Sequence, residues 1–212
     1  MLEPRSSVIV MPDSYFEANI ERLAQLVANM FSRVVQHNDR LPTGQQKPTR
    51  FHSRAPPNIT INDYLQRVAK YASLEPACLL ILLIYVDRIC ERNPSFTISS
   101  LTVHRFIITA TTIACKTICD AYCTNLHYAK VGGVSMQELN SLEVEILRMM
   151  GWHLVATQEQ LEQYYFTLVR QDPQLMLQSE ATSARAVGTG GAAVVQPVPG
   201  LAGVVLTTNT TY

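Results

Sequence analysis

The stretch ACLLILLIYV, residues 77–86, restricts the fold more than any other part of this chain. It carries no charge, and Pro76 stands immediately before it. Read as a helix it is apolar round its whole circumference, and such a helix is stable in water only when other helices surround it. Pro76 suits that reading, because the first turn of a helix does not use a proline's missing N–H. The apolar run is far shorter than the roughly 18 residues needed to span a bilayer, so it reads as the centre of a bundle. Ser73 is the expected cap of this helix, about 74–92, and Asn93-Pro94 its end.

The flanking sequence supplies helices to surround it. Asp13 is placed to cap a first helix, about 14–36, with Phe16, Ile20, Leu23, Val27, Phe31 and Val34 on one face. Prolines, a glycine and polar residues make 38–58 a linker. Thr60-x-x-Asp63 opens a helix of about 61–72 striped with Ile61, Leu65, Val68 and Ala72. Ser99 or Ser100 starts a long helix to about Tyr122, and Asn125–Lys130 forms a short helical turn before Gly132-Gly133. Ser135-x-x-Glu138 is a capping box for 136–150, with Gly151 where a C-cap belongs, and Thr157-x-x-Gln160 opens a last helix, about 158–170. No alternating strand pattern occurs in 13–170, so the expected fold class is all-α. From Gln171 the composition turns to Gly, Ala, Ser, Thr and Pro, which predicts a disordered tail over 171–212, and residues 1–12 are expected to be a flexible N-terminus.

Seventeen basic residues balance 17 acidic ones, which removes the electrostatic case for nucleic acid or an anionic membrane as partner. No basic segment followed by an apolar run opens the sequence, so no signal peptide is expected. Five cysteines within helical patterns fit a reducing compartment, and the expected location is intracellular, nucleus and/or cytoplasm. His104 and His127 stand in no metalloprotease or triad spacing, and no nucleophile elbow or phosphate-binding loop occurs. The chain is therefore expected to be no enzyme, with no catalytic residues, no cofactor and no small-molecule substrate. The N-x-T triplets at Asn58 and Asn209 carry no meaning without secretion.

Three polar groupings remain. Cys115, Cys119 and Cys123 recur every four residues on one helix face; three thiolates there could hold zinc, but buried free cysteines ordinarily serve close packing, and no metal site is expected. Asp87, near the end of the apolar helix, needs a partner, and Arg67 on the preceding helix is the candidate for a structural ion pair; two unrelated surface charges are the other reading. Lys116 is the only charge between Phe106 and Cys119, and Glu143 sits between apolar stripes on the helix 136–150. The two either form an internal ion pair of small net worth, or lie at a dry patch that another protein completes.

Five segments in order, Y-L-x-R (64–67), LLIYVDR (82–88), HRFIITATTIACK (104–116), NLHYAKVGG (125–133) and ELNSLEVEILRMMGW (138–152), resemble a cyclin box, and more narrowly the P/U-type cyclins. The resemblance covers about 50–155. It implies a single five-helix cyclin box, 59–155, flanked by an N-terminal helix at 13–37 that packs on the box and a C-terminal helix at 156–170. It also implies a cyclin-dependent protein kinase as heterodimer partner. In that family a lysine of the third box helix and a glutamate of the fifth touch the kinase C-helix and the loop before it, positions matched by Lys116 and Glu143. Apolar kinase contacts match Ile113, Leu147, Trp152 and Leu154; for Trp152, the only tryptophan, a core plug is the alternative. The hydrophobic substrate-docking patch of other cyclins is not matched, since Gln66, Lys70 and Ser73 stand at its places, and a full second box does not fit after Trp152. The implied function is regulation of a cyclin-dependent kinase by positioning its C-helix and activation loop in cell-cycle or nutrient-responsive phosphorylation. A non-activating cyclin-fold adaptor, or a metal- or redox-sensing domain built on Cys115, Cys119 and Cys123, are the competing readings.

Overall fold

A computed structural model describes residues 8–41 and 48–186. Residues 1–7 of the expected flexible N-terminus, 42–47 of the linker and 187–212 of the expected tail lie outside the described residues. Among the described residues the chain folds into helices α1 (Ile20–Asn38), α2 (Ile61–Tyr71), α3 (Pro76–Arg92), α4 (Val103–Ile118), α5 (Asn125–Gly132), α6 (Met136–Met149), α7 (Gln158–Arg170) and α8 (Gln178–Ala186), with two three-residue strands. The apolar stretch dictates the arrangement. Every residue of α3 from Ala77 to Asp87 is buried, and α1, α4, α6 and α7 pack around it. Burial of a leucine-sized side chain contributes about 1.5–3 kcal/mol, so α3 with its neighbours is the main source of the fold's stability.

Local chemistry sets most helix starts. Thr60 Oγ1 accepts from Asp63 N–H at 3.0 Å, and Thr157 with Gln160 completes a reciprocal capping box. Ser135 Oγ accepts from Glu138 N–H at 3.1 Å, but the return arm of that box is replaced by a bridge from the Glu138 carboxylate to Arg105 on α4 at 2.5 Å. At the end of α5 the two glycines have separate reasons. A Cβ on Gly132 would run into Ile108 of α4, whereas Gly133 turns the chain at φ +70°, a conformation costly for other residues.

Several boundaries differ from the sequence expectation. Asn19, not Asp13, caps the first helix, taking Arg22 N–H at 2.9 Å after a 3-10 turn at Tyr15–Glu17. Ser73 sits at φ +52° and does not cap α3; Glu75 precedes that helix without a side-chain bond. The long helix begins at Val103 and stops at Ile118, because Cys119 turns to extended backbone at ψ 133°.

The chain is also more ordered at its edges than its composition implies. Ile9–Met11 (β1) pairs in parallel with Leu175–Leu177 (β2), in the register Ile9↔Leu175 to Met11↔Leu177, and α8 follows. Residues 9–11 and 175–186 are therefore regular structure and not flexible terminus or disordered tail. Asp13 takes part in this closure: its carboxylate accepts from the Ser179 backbone N–H at 3.0 Å and hydroxyl at 2.7 Å, which holds its pKa below the usual value. Meanwhile α1 lies along α2, where Gln66 Nε2 donates to the Glu21 carbonyl at 2.7 Å.

Candidate functional site

The C-terminal turn of α4, the start of α5 and the middle of α6 meet at one edge of the bundle. There Lys116 Nζ lies 2.6 Å from Glu143 Oε1. The other carboxylate oxygen accepts from Asn125 Nδ2 at 3.0 Å, and that amide also donates to Asn140 Oδ1 at 2.6 Å. The side chains of Lys116 and Glu143 keep 30% and 15% of their exposure, so the pair is neither dry nor freely solvated. Exposed apolar side chains stand beside its members in sequence: Ile118 after Lys116, Leu126 after Asn125 and Val144 after Glu143. The internal ion pair is thus made, but at an open and partly apolar edge. An ammonium has three donors and a carboxylate about four acceptor sites, so the cluster has capacity for further bonds. Asn125, which orients Glu143, is absent from the residues singled out by sequence; its place at the first position of α5, beside the capping Thr124, was the available sign.

A second feature lies at the end of α6. Gly151 N–H donates to the Arg148 carbonyl and Trp152 N–H to the Leu147 carbonyl, both at 3.0 Å, which is the six-to-one closure of a Schellman motif. Trp152 then takes φ +64°, a left-handed conformation that a bulky residue rarely adopts. The strain is held by α3: Arg88 donates to the carbonyls of His153 and Val155 at 2.9 Å each, and Tyr85 Oη to that of Leu154 at 3.2 Å. Trp152 is left 64% exposed, so it is no core plug.

The remaining sequence candidates separate. Leu147 and Leu154 are half-buried against the core. Ile113 is only 2% exposed, so a direct contact with another protein is closed to it; it lies one turn before Lys116 and backs that turn. The expected Arg67–Asp87 ion pair does not form. Arg67 reaches the other way, donating to the Val131 carbonyl at 2.9 Å through Nε, beside Tyr64, whose hydroxyl donates to Gly132 O at 3.0 Å. Two carbonyls at the end of α5 are thereby satisfied from α2. Asp87 accepts a hydrogen bond from Tyr164 of α7; burial pushes its pKa up to about 6, against the lowering effect of that bond. The cysteine face of 115, 119 and 123 is broken as well, since Cys119 ends α4 and Cys123 lies beyond it.

No helix among the described residues is long and apolar enough to cross a membrane. The cyclin family profile matches residues 19–154. Among curated proteins the chain is similar to the Nuc-1 negative regulatory protein preg of Neurospora crassa, at 44% identity over 167 residues, 77% of this chain and 35% of that protein. It is similar to the PHO85 cyclin PHO80 of Saccharomyces cerevisiae, at 38% identity over 69% of this chain and 52% of the other. Cyclin-U4-1 of Arabidopsis thaliana is 37% identical over 72% of this chain and 77% of its own length. The chain spans at most about half the length of the two fungal relatives. With five ordered segments of the sequence, the helical bundle and these matches in agreement, the chain belongs to the cyclin family, among the cyclins of P/U type.

Proposed function

We propose that this protein is a non-catalytic regulatory subunit that binds a cyclin-dependent protein kinase and activates it by holding its C-helix and activation loop in the active arrangement. The observation that carries the reading is the Lys116–Glu143–Asn125 cluster, partly exposed at an edge with apolar neighbours. A helix end leaves backbone carbonyls and N–H groups without partners. Lys116 bonds such carbonyls and Glu143 such N–H groups of the kinase, each charge-assisted bond contributing roughly 1.5–3 kcal/mol. Because the existing pair is partly solvated, exchanging it for those bonds costs little. Trp152, held outward by its backbone, and the half-buried Leu154 and Leu147 add apolar contact, with Trp152 as anchor.

The mechanism is a shift of population. A kinase needs its strand-three lysine paired with the C-helix glutamate and its activation loop ordered. A subunit that binds only that state favours it by its differential affinity, while every reacting group stays on the kinase. The setting is intracellular, in nucleus and/or cytoplasm, in cell-cycle or nutrient-responsive phosphorylation. PHO80 is named as a cyclin of PHO85, and the likeness to a cyclin named for its partner supports a partner-binding role.

The test is phosphotransfer to a basic peptide by a panel of purified cyclin-dependent kinases, with and without this protein, beside the Lys116→Ala/Glu143→Ala double variant. Activation that the double variant loses is the expected result. A complex with a kinase but no gain in phosphotransfer would replace the proposal with a non-activating cyclin-fold adaptor.

A further inference from the structure

Packing brings a third thiol to two of the cysteines on α4. Cys78, the third residue of α3, places its Sγ 3.8 Å from Cys115 Sγ and 3.6 Å from Cys119 Sγ, and the three sulfurs lie within 4.8 Å of one another. We propose that Cys78, Cys115 and Cys119 form a three-thiolate site for a single zinc ion that clamps the start of α3 to the end of α4.

The geometry suits the ion. Tetrahedral zinc with Zn–S bonds of about 2.3 Å sets its sulfurs about 3.8 Å apart. Two of the three separations already match that edge, and the third, Cys115 to Cys119, lies within 4.8 Å. Cys78 and Cys115 are 0% and 2% exposed, whereas Cys119 is half-buried. The side of the site towards Cys119 therefore leaves the fourth position to water, and the ion has a path in. One feature of the backbone favours bound thiolate. Cys78 stands in the first turn of α3, where the helix dipole stabilises negative charge. The Tyr128 hydroxyl of α5 accepts from the Cys123 backbone N–H at 3.3 Å. Cys123 contributes this backbone bond and no thiol, and Cys90 stands outside the group of three. The site needs no kinase, and it adjoins the proposed interface, since Lys116 follows Cys115 and Cys119 follows Ile118.

The experiment uses the full chain, reduced and stripped of metal, titrated with Co2+ alone as a coloured substitute for Zn2+. Expected are thiolate-to-cobalt charge-transfer bands and tetrahedral visible bands that saturate at one equivalent and vanish when Zn2+ is added. Cys119→Ala, at a half-buried cap where folding is checked by circular dichroism, should weaken binding by more than about 100-fold. Cys90→Ala and Cys123→Ala should leave the titration unchanged. Absence of the charge-transfer bands in the wild-type chain would overturn the site, as would bands that persist in Cys119→Ala or disappear in Cys123→Ala.

Discussion

Asp87 and Lys116 look alike in the sequence: each is a charge within a helix that is otherwise largely apolar. The fold treats them oppositely. Asp87 is 7% exposed and its carboxylate is satisfied inside the protein by Tyr164, so it joins α3 to α7. Lys116 remains 30% exposed, and its pair with Glu143 stands at an edge where solvent competes. The cost of desolvation separates the two. A charge withdrawn from water must be satisfied where it lies, and removing its partner is expensive. A half-solvated pair is worth little by itself and can be traded for bonds to another protein. One charge is structural and the other is available.

Substitutions at both places test that contrast. The largest effect is expected from Lys116→Ala/Glu143→Ala. By isothermal titration, kinase affinity should fall at least about 100-fold, while stability to urea changes by less than about 1 kcal/mol. A double variant that binds normally would end the assignment of the edge. Tyr164→Phe should do the reverse, lowering stability by about 1–3 kcal/mol by leaving the Asp87 carboxylate without its donor, with kinase affinity unchanged. Loss of affinity without loss of stability would show that Asp87 is not the structural member of the two.

The next effect depends on pH. The folded-state pKa of Asp87, about 6, lies above the ordinary carboxylate value, so the folded protein holds this proton more tightly than the unfolded chain. The contribution of this group is therefore greatest at low pH and declines as pH rises from about 4 through about 6. Asp87→Asn keeps an acceptor for Tyr164 and removes the ionisation. It should flatten that part of the stability profile and stabilise the protein above pH 6 by roughly 1–3 kcal/mol, measured by urea unfolding across the pH series. The smallest effect is at Trp152. Trp152→Gly relieves a left-handed residue and should raise stability by about 1 kcal/mol or less while weakening kinase binding. If stability drops instead, the indole is supporting the fold and not only displayed by it.

How far the sequence could be read depended on how far apart the interacting residues are. The helices of the box were legible because each carries a stripe of apolar residues and most carry their own start signals, as Thr60, Ser135 and Thr157 do. The end of α4 was not, because no glycine or proline marks Cys119 and the apolar pattern runs on past it. The strands escaped notice for another reason: three residues are too few to display a period, and β1 finds its partner across most of the chain. At the site, Lys116 and Glu143 stand out in the sequence as charges among apolar neighbours. Asp87 stands out in the same way, but Arg67 is not its partner, since spacing says which face a residue occupies and not which neighbour that face meets.

The helical core, the central place of α3 and the cyclin order of segments are all written in the linear pattern of the chain. These are consequences of local propensity and of the free energy of burying apolar surface, which a linear pattern records. Packing chose the partners: Tyr164 for Asp87, the α5 carbonyls for Arg67, Asn125 for Glu143 and Cys78 for Cys115 and Cys119 at the end of α4. Hydrogen bonds and thiol contacts act over a few ångströms in space, and only packing brings residues distant in the chain within that reach.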